Sequence, residues 1–392
     1  MIYTDAFTRK LVNSIIELLD IPPSYYEQAK ERYQSLGRWM HREESTLRNL
    51  SPDVYPQGSF RYGTVIRPLF DNDEYDLDLV CSVDLSKSEV TQRDVKHLLG
   101  DEVKGYAKAN SFKDPVSEKK RCWRLDYQDG VKFHMDLLPA VPQDEAHIEL
   151  LVEQRGVATE LALLSVGITD IQHPTYEQVH PDWFSSNPRG FGRWFEGIAR
   201  PAAHGRLKAL VENRAYASTE DVPPYEWKTP LQRSIQILKR HRDVMFRRNR
   251  KLAPISMIIT TLAARSYQGE VDIYETLTNI LDRMPAFVKP SWPRIENPVN
   301  RAEDFADAWR TNPNLEENFW AWHTQAKHDV AALSKQDIDR AERLVQNSLS
   351  LNMTANQRNA LEALAVTVAP KVITKPQSTV IKSAPEPWKE GR

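Results

Sequence analysis

Between Tyr75 and Val80 the chain reads Y-D-L-D-L-V, and this alternation limits what the rest can fold into. Period two places Asp76 and Asp78 on one face of a strand. Leu77 and Leu79, with Cys81 beyond, point to the other face and a core. Two carboxylates side by side repel each other by ~4 kcal/mol if ~4 Å apart at an effective dielectric of ~20. A divalent cation between them turns that repulsion into binding. Upstream, Gln57-Gly58-Ser59 offers a small, flexible turn with a hydroxyl, chemistry suited to meeting a phosphate.

A third carboxylate fits the same site. The runs R-C-W-R-L-D-Y-Q and V-K-F-H-M-D-L-L flank Asp129-Gly130, and Asp-Gly between two β-prone runs predicts a hairpin over 121–138. On its second strand Lys132, His134 and Asp136 share one face, and Val131, Phe133, Met135 and Leu137 the other. Asp136 can then lie beside Asp76 and Asp78 on a neighbouring strand. Three hard oxygen ligands with no thiolate nearby suit Mg²⁺ or Mn²⁺ better than zinc. A plain acidic surface run is the bland alternative, since Asp71, Asp73 and Glu74 are close by. A calcium loop starting at Asp71 fails, because it needs glycine where Asp76 stands and glutamate where Ser82 stands. His134 is read as a side chain packed near the site or lining an acceptor pocket, in preference to a metal ligand.

Gly58-Ser59, Asp76-x-Asp78 and Asp136 together resemble the nucleotidyltransferase superfamily of DNA polymerase β. Longer words narrow the resemblance: Q-G-S-F-R-Y-G-T-V-I-R-P from 57, N-P-R-G-F-G-R-W-F at 187–195, T-P-L-Q-R-S-I-Q-I-L-K-R-H-R at 229–242 and N-P-V-N-R-A-E-D-F-A-D-A-W at 297–309. Over residues 1–350 the chain is similar to the bacterial cGAS/DncV-like nucleotidyltransferases, the signal-making enzymes of CBASS antiphage defence. The resemblance implies an α+β fold. A polymerase-β-like catalytic domain with a mixed sheet would be joined to a C-terminal helical domain like that of oligoadenylate synthase. It also implies catalysis by Asp76, Asp78 and Asp136 with two Mg²⁺ or Mn²⁺ ions, and nucleotide binding by Gln57, Gly58 and Ser59. In the family a lysine on the helix after Thr229 reaches the triphosphate and a serine on the next helix assists. Lys239 and Ser256 stand at those places.

The expected divisions are 1–228 for the spine helices and catalytic domain, 229–369 for the helical domain and 370–392 for a flexible tail. The first helix spans 5–20. Pro22-Pro23 ends it, and Ser24-Tyr25-Tyr26-Glu27 has the pattern of a capping box opening a spine helix to about Asn49. Residues 89–109 form a further helix despite Gly100 and Gly105. The stretch 143–228 is rich in proline and gives no clear strands, although Asn187-Pro188-Arg189-Gly190 should open a short helix carrying Phe191, Trp194 and Phe195. Thr229-Pro230 caps a helix with Leu231, Ile235, Leu238 and Val244 or Met245 on its buried stripe. Pro254 begins another, and helices are expected over 271–284, 302–331, 335–350 and 355–367. Trp309, Phe319, Trp320 and Trp322 read as helical core and not as a base-stacking platform.

Composition excludes some classes. With 52 basic and 54 acidic residues the chain does not advertise strong nucleic-acid binding, though a local basic groove stays open. No run of ~18 apolar residues spans a membrane, and the N-terminal stretch lacks an apolar signal core. Cys81 and Cys122 read as buried free thiols in a reducing, cytoplasmic setting.

The resemblance implies partners as well as chemistry. The substrates are ribonucleoside triphosphates, the cyclic di- or trinucleotide product acts on a separate effector, and a CBASS accessory protein is a further partner. Some family members are conjugated through the C-terminus, where a small last residue is usual; Arg392 departs from that. Two rivals stand beside the cyclising enzyme. One is a transferase that adds nucleotides linearly to RNA or a small acceptor. The other is a non-catalytic sensor, which has no reason to keep three crowded carboxylates.

Overall fold

The computed structural model describes residues 2–70, 73–128, 132–200, 228–335 and 337–366. The Asp129-Gly130 turn and the tail 370–392 lie outside these residues, as do residues 201–227 of the proline-rich stretch.

Helix α1 (Ile2–Leu19) buries Phe7, Leu11, Val12, Ile15, Ile16 and Leu19, one stripe at helical spacing. Helix α2 (Pro23–Met40) follows at once. The capping box expected at Ser24–Glu27 does not form. Pro22 takes the cap position without a side-chain bond, because Pro23 fits the first helical turn, where no N–H is needed. The spine also ends at Met40 and not near Asn49. Glu102 competes for the chain there, accepting from Arg42 (2.6 Å) and from the Thr46 N–H (2.7 Å). Arg42 stacks on the Trp39 ring at 3.7 Å.

The sheet is mixed, as the alternation and the resemblance imply. Strand β1 (Asp53–Pro56) pairs antiparallel with β2 (Tyr75–Ser82), which runs parallel to β5 (Phe133–Pro142). Strand β4 (Trp123–Tyr127) lies antiparallel on the other side of β5 and carries β3 (Ser117–Glu118) at its edge. The strands of the predicted hairpin are therefore β4 and β5. The far end of β5 pairs with β6 (Val166–Ile168), and β6 with β7 (Phe184–Ser186). Leu77, Leu79, Leu125, Phe133, Met135 and Leu137 form a core with α2 and with α4 (Gln92–Ala109), which Thr91 opens with a true capping box. Gly100 costs α4 some helix propensity, but a Cβ there would stand 2.3 Å from the Trp123 ring, so the sheet packs closely only over glycine.

Two short helices, α5 (Glu145–Glu149) and α6 (Thr159–Ala162), precede β6. Asn187 then caps α7 (Pro188–Ala199), as expected. Helix α8 (Pro230–Met245) has the predicted Thr229 cap, closed by Gln232, and buries Val244 while Met245 stays exposed. Helix α9 starts two residues later than expected, at Ser256–Ser266, and α10 spans Ile273–Arg283.

The helix expected from 302 is a correction. Residues 296–304 form a hairpin, β8 (Glu296–Asn297) and β9 (Asn300–Asp304), and α11 begins at Asn314–Leu333. Asp304 takes the N–H groups of Arg294, Ile295 and Ala306 on its two oxygens (2.7–2.9 Å), and Asn297 takes that of Val299 (3.0 Å). Side chains that bond nearby backbone in this way compete with a helical ladder. Helices α12 (Ile338–Leu349) and α13 (Ala355–Val366) complete the half. Its core contains Trp309, Phe319 and Trp322, with Trp320 packed at the margin, and it also takes in α1 and Phe191 and Phe195 of α7. In packing, the first helix of the chain thus joins the helical half, while α2 joins the sheet.

Candidate active site

Backbone pairing places the carboxylates. In the parallel ladder of β2 and β5 Asp78 stands directly opposite Asp136, and Asp76 opposite His134. A ligating oxygen from each of Asp76, Asp78 and Asp136 lies within 4.8 Å of the others, on the face away from the core. Burial pushes the Asp78 carboxyl well above its usual range, and the charges of Asp76 and Asp136 push it further. His134 and Lys239 oppose that shift.

The charges are only partly compensated from within. Arg124 on β4 donates to both oxygens of Asp136 (2.7 Å each), a fork that fixes the carboxylate plane. His134 Nε2 meets Asp76 Oδ1 at 2.9 Å, and the bond raises the imidazole's affinity for a proton. His134 is thus packed beside the site as a partner of a carboxylate. Arg124 escaped the sequence reading, although the hairpin register pairs it with Asp136. Cys122 escaped it too. Its thiol bonds Asp136, so sulfur is nearby after all, but burial and that carboxylate push the thiol up to about 12, and it stays protonated. Cys81 is buried and Cys122 only half-buried.

Beside the triad the Gln57 N–H donates to the Asp78 carbonyl (2.8 Å), continuing the ladder into the turn. A four-residue helix, α3 (Gly58–Arg61), follows. Gly58 has φ +66°, and a Cβ there would stand 2.4 Å from Asp78 Oδ2. Glycine is required both by the left-handed backbone and by the carboxylate. Ser59 is half-buried in the first turn.

Lys239 reaches this region from α8. The residue is 7% exposed, and its amine donates to the Thr64 carbonyl (3.0 Å) and is pulled down to about 8 by burial and then by Arg242. Asp76 and Asp78 act on it in the opposite direction. Ser256 is held one turn further along, where its hydroxyl accepts from Arg242 Nη1 (3.0 Å). Hydrogen bonding therefore ties Ser256 to Arg242, and Lys239 to the segment after Ser59.

The donor set fits a divalent cation. It is oxygen-only, converges within one coordination sphere, and includes a carboxylate that its surroundings discourage from ionising without a compensating charge. Acidic residues from adjacent strands, beside a glycine-serine turn that opens a helix, define a metal-using phosphoryl-transfer enzyme.

Residues 52–139, which carry the turn and all three carboxylates, match the family model described as cyclic GMP-AMP synthase DncV-like, nucleotidyltransferase domain. Residues 52–139 thus form a domain similar to the DncV-like nucleotidyltransferases. The chain is 28% identical over 363 residues to a c-di-GMP synthase of Roseivirga ehrenbergii, covering 91% of this chain and 86% of the relative. It is 25% identical to the cyclic dinucleotide synthase CdnG of Bradyrhizobium diazoefficiens over 78% of this chain and 71% of CdnG. The structure of that CdnG in complex with GTP superposes with a TM-score of 0.63 at 19% identity, covering 92% and 98% of the two chains. The E. coli MS115-1 CdnC:HORMA-deltaN complex gives a TM-score of 0.57 at 11% identity, over 88% of this chain and 98% of the matched one. Among the described residues no helix is long and apolar enough to cross a membrane.

Proposed function

We propose that the chain joins two ribonucleoside triphosphates and closes them into a cyclic dinucleotide, with GTP as a substrate. The observation that carries this reading is the convergence of Asp76, Asp78 and Asp136 beside Gly58. The names of the two relatives, a c-di-GMP synthase and a cyclic dinucleotide synthase, support the cyclic product and the guanine. A ribose hydroxyl oxygen attacks the α-phosphorus, the bond to the β-phosphate oxygen breaks, and pyrophosphate leaves; a second round closes the ring. Two Mg²⁺ or Mn²⁺ ions on the triad would lower the pKa of the attacking hydroxyl and neutralise the departing pyrophosphate.

The chain's own residues do the rest. Asp78 and Asp136 present their oxygens from paired positions of one ladder, and Arg124 keeps Asp136 from rotating. The Gly58-Ser59 turn offers N–H and hydroxyl donors to the phosphates, while Gln57 ties the turn to β2. Lys239 supplies a cation to the triphosphate, and Ser256, whose hydroxyl Arg242 holds, assists there. We place this chemistry in the cytoplasm, in CBASS antiphage defence, with the product acting on a separate effector. An accessory protein is a natural partner, given the fold shared with a complex that contains HORMA.

Incubation with the four labelled triphosphates and Mg²⁺ or Mn²⁺ should give a phosphatase-resistant product made without an added acceptor. Mass spectrometry should show two linked nucleotides. The double variant Asp76→Ala, Asp78→Ala should give none. Undiminished product from that variant overturns the reading, and a phosphatase-sensitive product points to linear addition.

A further inference from the structure

Helix α8 carries a row of polar side chains that bond the backbone of the segment after the phosphate turn. Gln232 Nε2 donates to the Tyr62 carbonyl (2.8 Å) and Gln236 Nε2 to that of Val65 (2.6 Å). Lys239 donates to Thr64 (3.0 Å) and Arg240 to Arg67 (2.8 Å). Positions 232, 236, 239 and 240 follow helical spacing, so one face of α8 does all of this. Gln232 is 7% exposed and Gln236 0%, where an aliphatic side chain would fill the space without the need for a partner.

The segment they hold is itself tied to the turn. The Tyr62 N–H donates to the Gly58 carbonyl (3.1 Å) and the Thr64 N–H to that of Ser59 (2.9 Å). Residues Tyr62 to Val65 are buried and belong to no strand, so their carbonyls depend on side-chain donors for satisfaction. Gly63 has φ +65°, and a Cβ there would meet Gln232 Nε2 at 2.5 Å, so the chain comes close to the amide only as glycine. Gln236 also reaches Asp20 Oδ1 (3.2 Å), which pairs with Lys228 and Arg233 at the end of α1.

We propose that Gln232 and Gln236 are positioning residues for nucleotide binding. By fixing residues 62–67 they set where Gly58 and Ser59 meet the triphosphate, so the helical half determines the geometry of a site borne on the sheet. The role rests on the phosphate-binding reading of that turn. It touches neither the reacting atoms nor the metal ligands.

Gln232→Met and Gln236→Met keep the volume and remove the donor, and the first also removes the acceptor of the Thr229 N–H that closes the α8 cap; Gln236→His restores an N–H at a similar reach. In the full-length chain with Mg²⁺, the double methionine variant should raise KM for GTP about tenfold with kcat changed less than about threefold, the size of effect typical of groups that orient a site from behind it. Gln236→His should recover most of the loss relative to Gln236→Met. Hydrogen exchange of the peptide 57–68 should quicken in the methionine variants while β2 and β5 keep their protection. A lowered melting temperature with unchanged KM and unchanged exchange at 57–68 overturns the proposal, leaving the glutamines as fold contacts only. If a destabilised double variant cannot be purified, the single Gln236→Met variant, which leaves the α8 cap intact, carries the same comparison. Should the wild type neither turn over nor bind a non-hydrolysable GTP analogue, the proposed function fails, while the exchange measurement still decides whether α8 holds the turn.

Discussion

The two sides of the candidate site solve opposite problems. On the β2–β5 side a backbone ladder fixes the geometry, and like charges are crowded onto it faster than Arg124 and His134 can compensate. On the α8 side Gln232, Gln236 and Lys239 find carbonyl partners, and the cost falls on Lys239, whose charge is buried to make that fit. The strand side is thus short of positive charge, and the helix side is largely satisfied by hydrogen bonds. Negative charge can be stored on the first because main-chain pairing, and not side-chain attraction, keeps the carboxylates together.

The sharpest way to break this contrast is Asp78→Asn. Turnover should fall below detection, since the residue sits at the centre of the ligand set. Stability should move the other way. The Asp78 carboxyl is raised in the fold, so the native state holds its proton longer than the unfolded chain does. Its destabilising effect is absent below about pH 3.9 and grows as pH rises through the raised value. In metal-free buffer the variant should therefore melt above the wild type at neutral pH and match it near pH 4. Mg²⁺ should raise the wild-type melting temperature and leave the variant unmoved. A wild type indifferent to Mg²⁺ would show that the strand side lacks no charge.

Gly58→Ala should come next. The new Cβ needs a left-handed backbone and collides with Asp78 Oδ2. The strain is on the order of 1–3 kcal/mol, and displacement of the turn should cost activity about a hundredfold. Near-normal kinetics would mean that the turn and the carboxylate need not be in contact.

Lys239→Met probes the helix side through the pH dependence of stability. Lys239 is lowered to about 8 in the fold, against roughly 10.4 for a free lysine. Its buried charge burdens the native state fully below pH 8, and the burden fades between pH 8 and about 10.4. The melting temperature of the variant relative to wild type should therefore decline over that interval, while at pH 7 the variant binds triphosphate more weakly. A difference independent of pH would mean that folding leaves the proton affinity of Lys239 unchanged.

Much of the site could be read along the chain because strand alternation is local. Asp76 and Asp78 share a face by period two, and Asp-Gly announced the hairpin that brings Asp136 alongside. The Thr229 and Asn187 caps and the tryptophan-rich core were equally local signals. The misreadings lie where distant groups compete for the backbone: Glu102 ends α2 early, and Asp304 replaces a helical turn by a hairpin. Arg124 was within reach of the register, but Cys122 at Asp136, Ser256 at Arg242 and the α8 contacts to residues 62–67 join positions that no sequence period connects.

By itself, then, the sequence determined which residues carry charge to the strand face. Tertiary structure alone decided what surrounds them: which cation steadies which carboxylate, how deep Lys239 lies, and that the first helix packs with the last. The physical reason is range. Backbone geometry repeats over two to four residues and can be read directly, whereas burial and hydrogen-bond partnership depend on segments brought together only when both cores close.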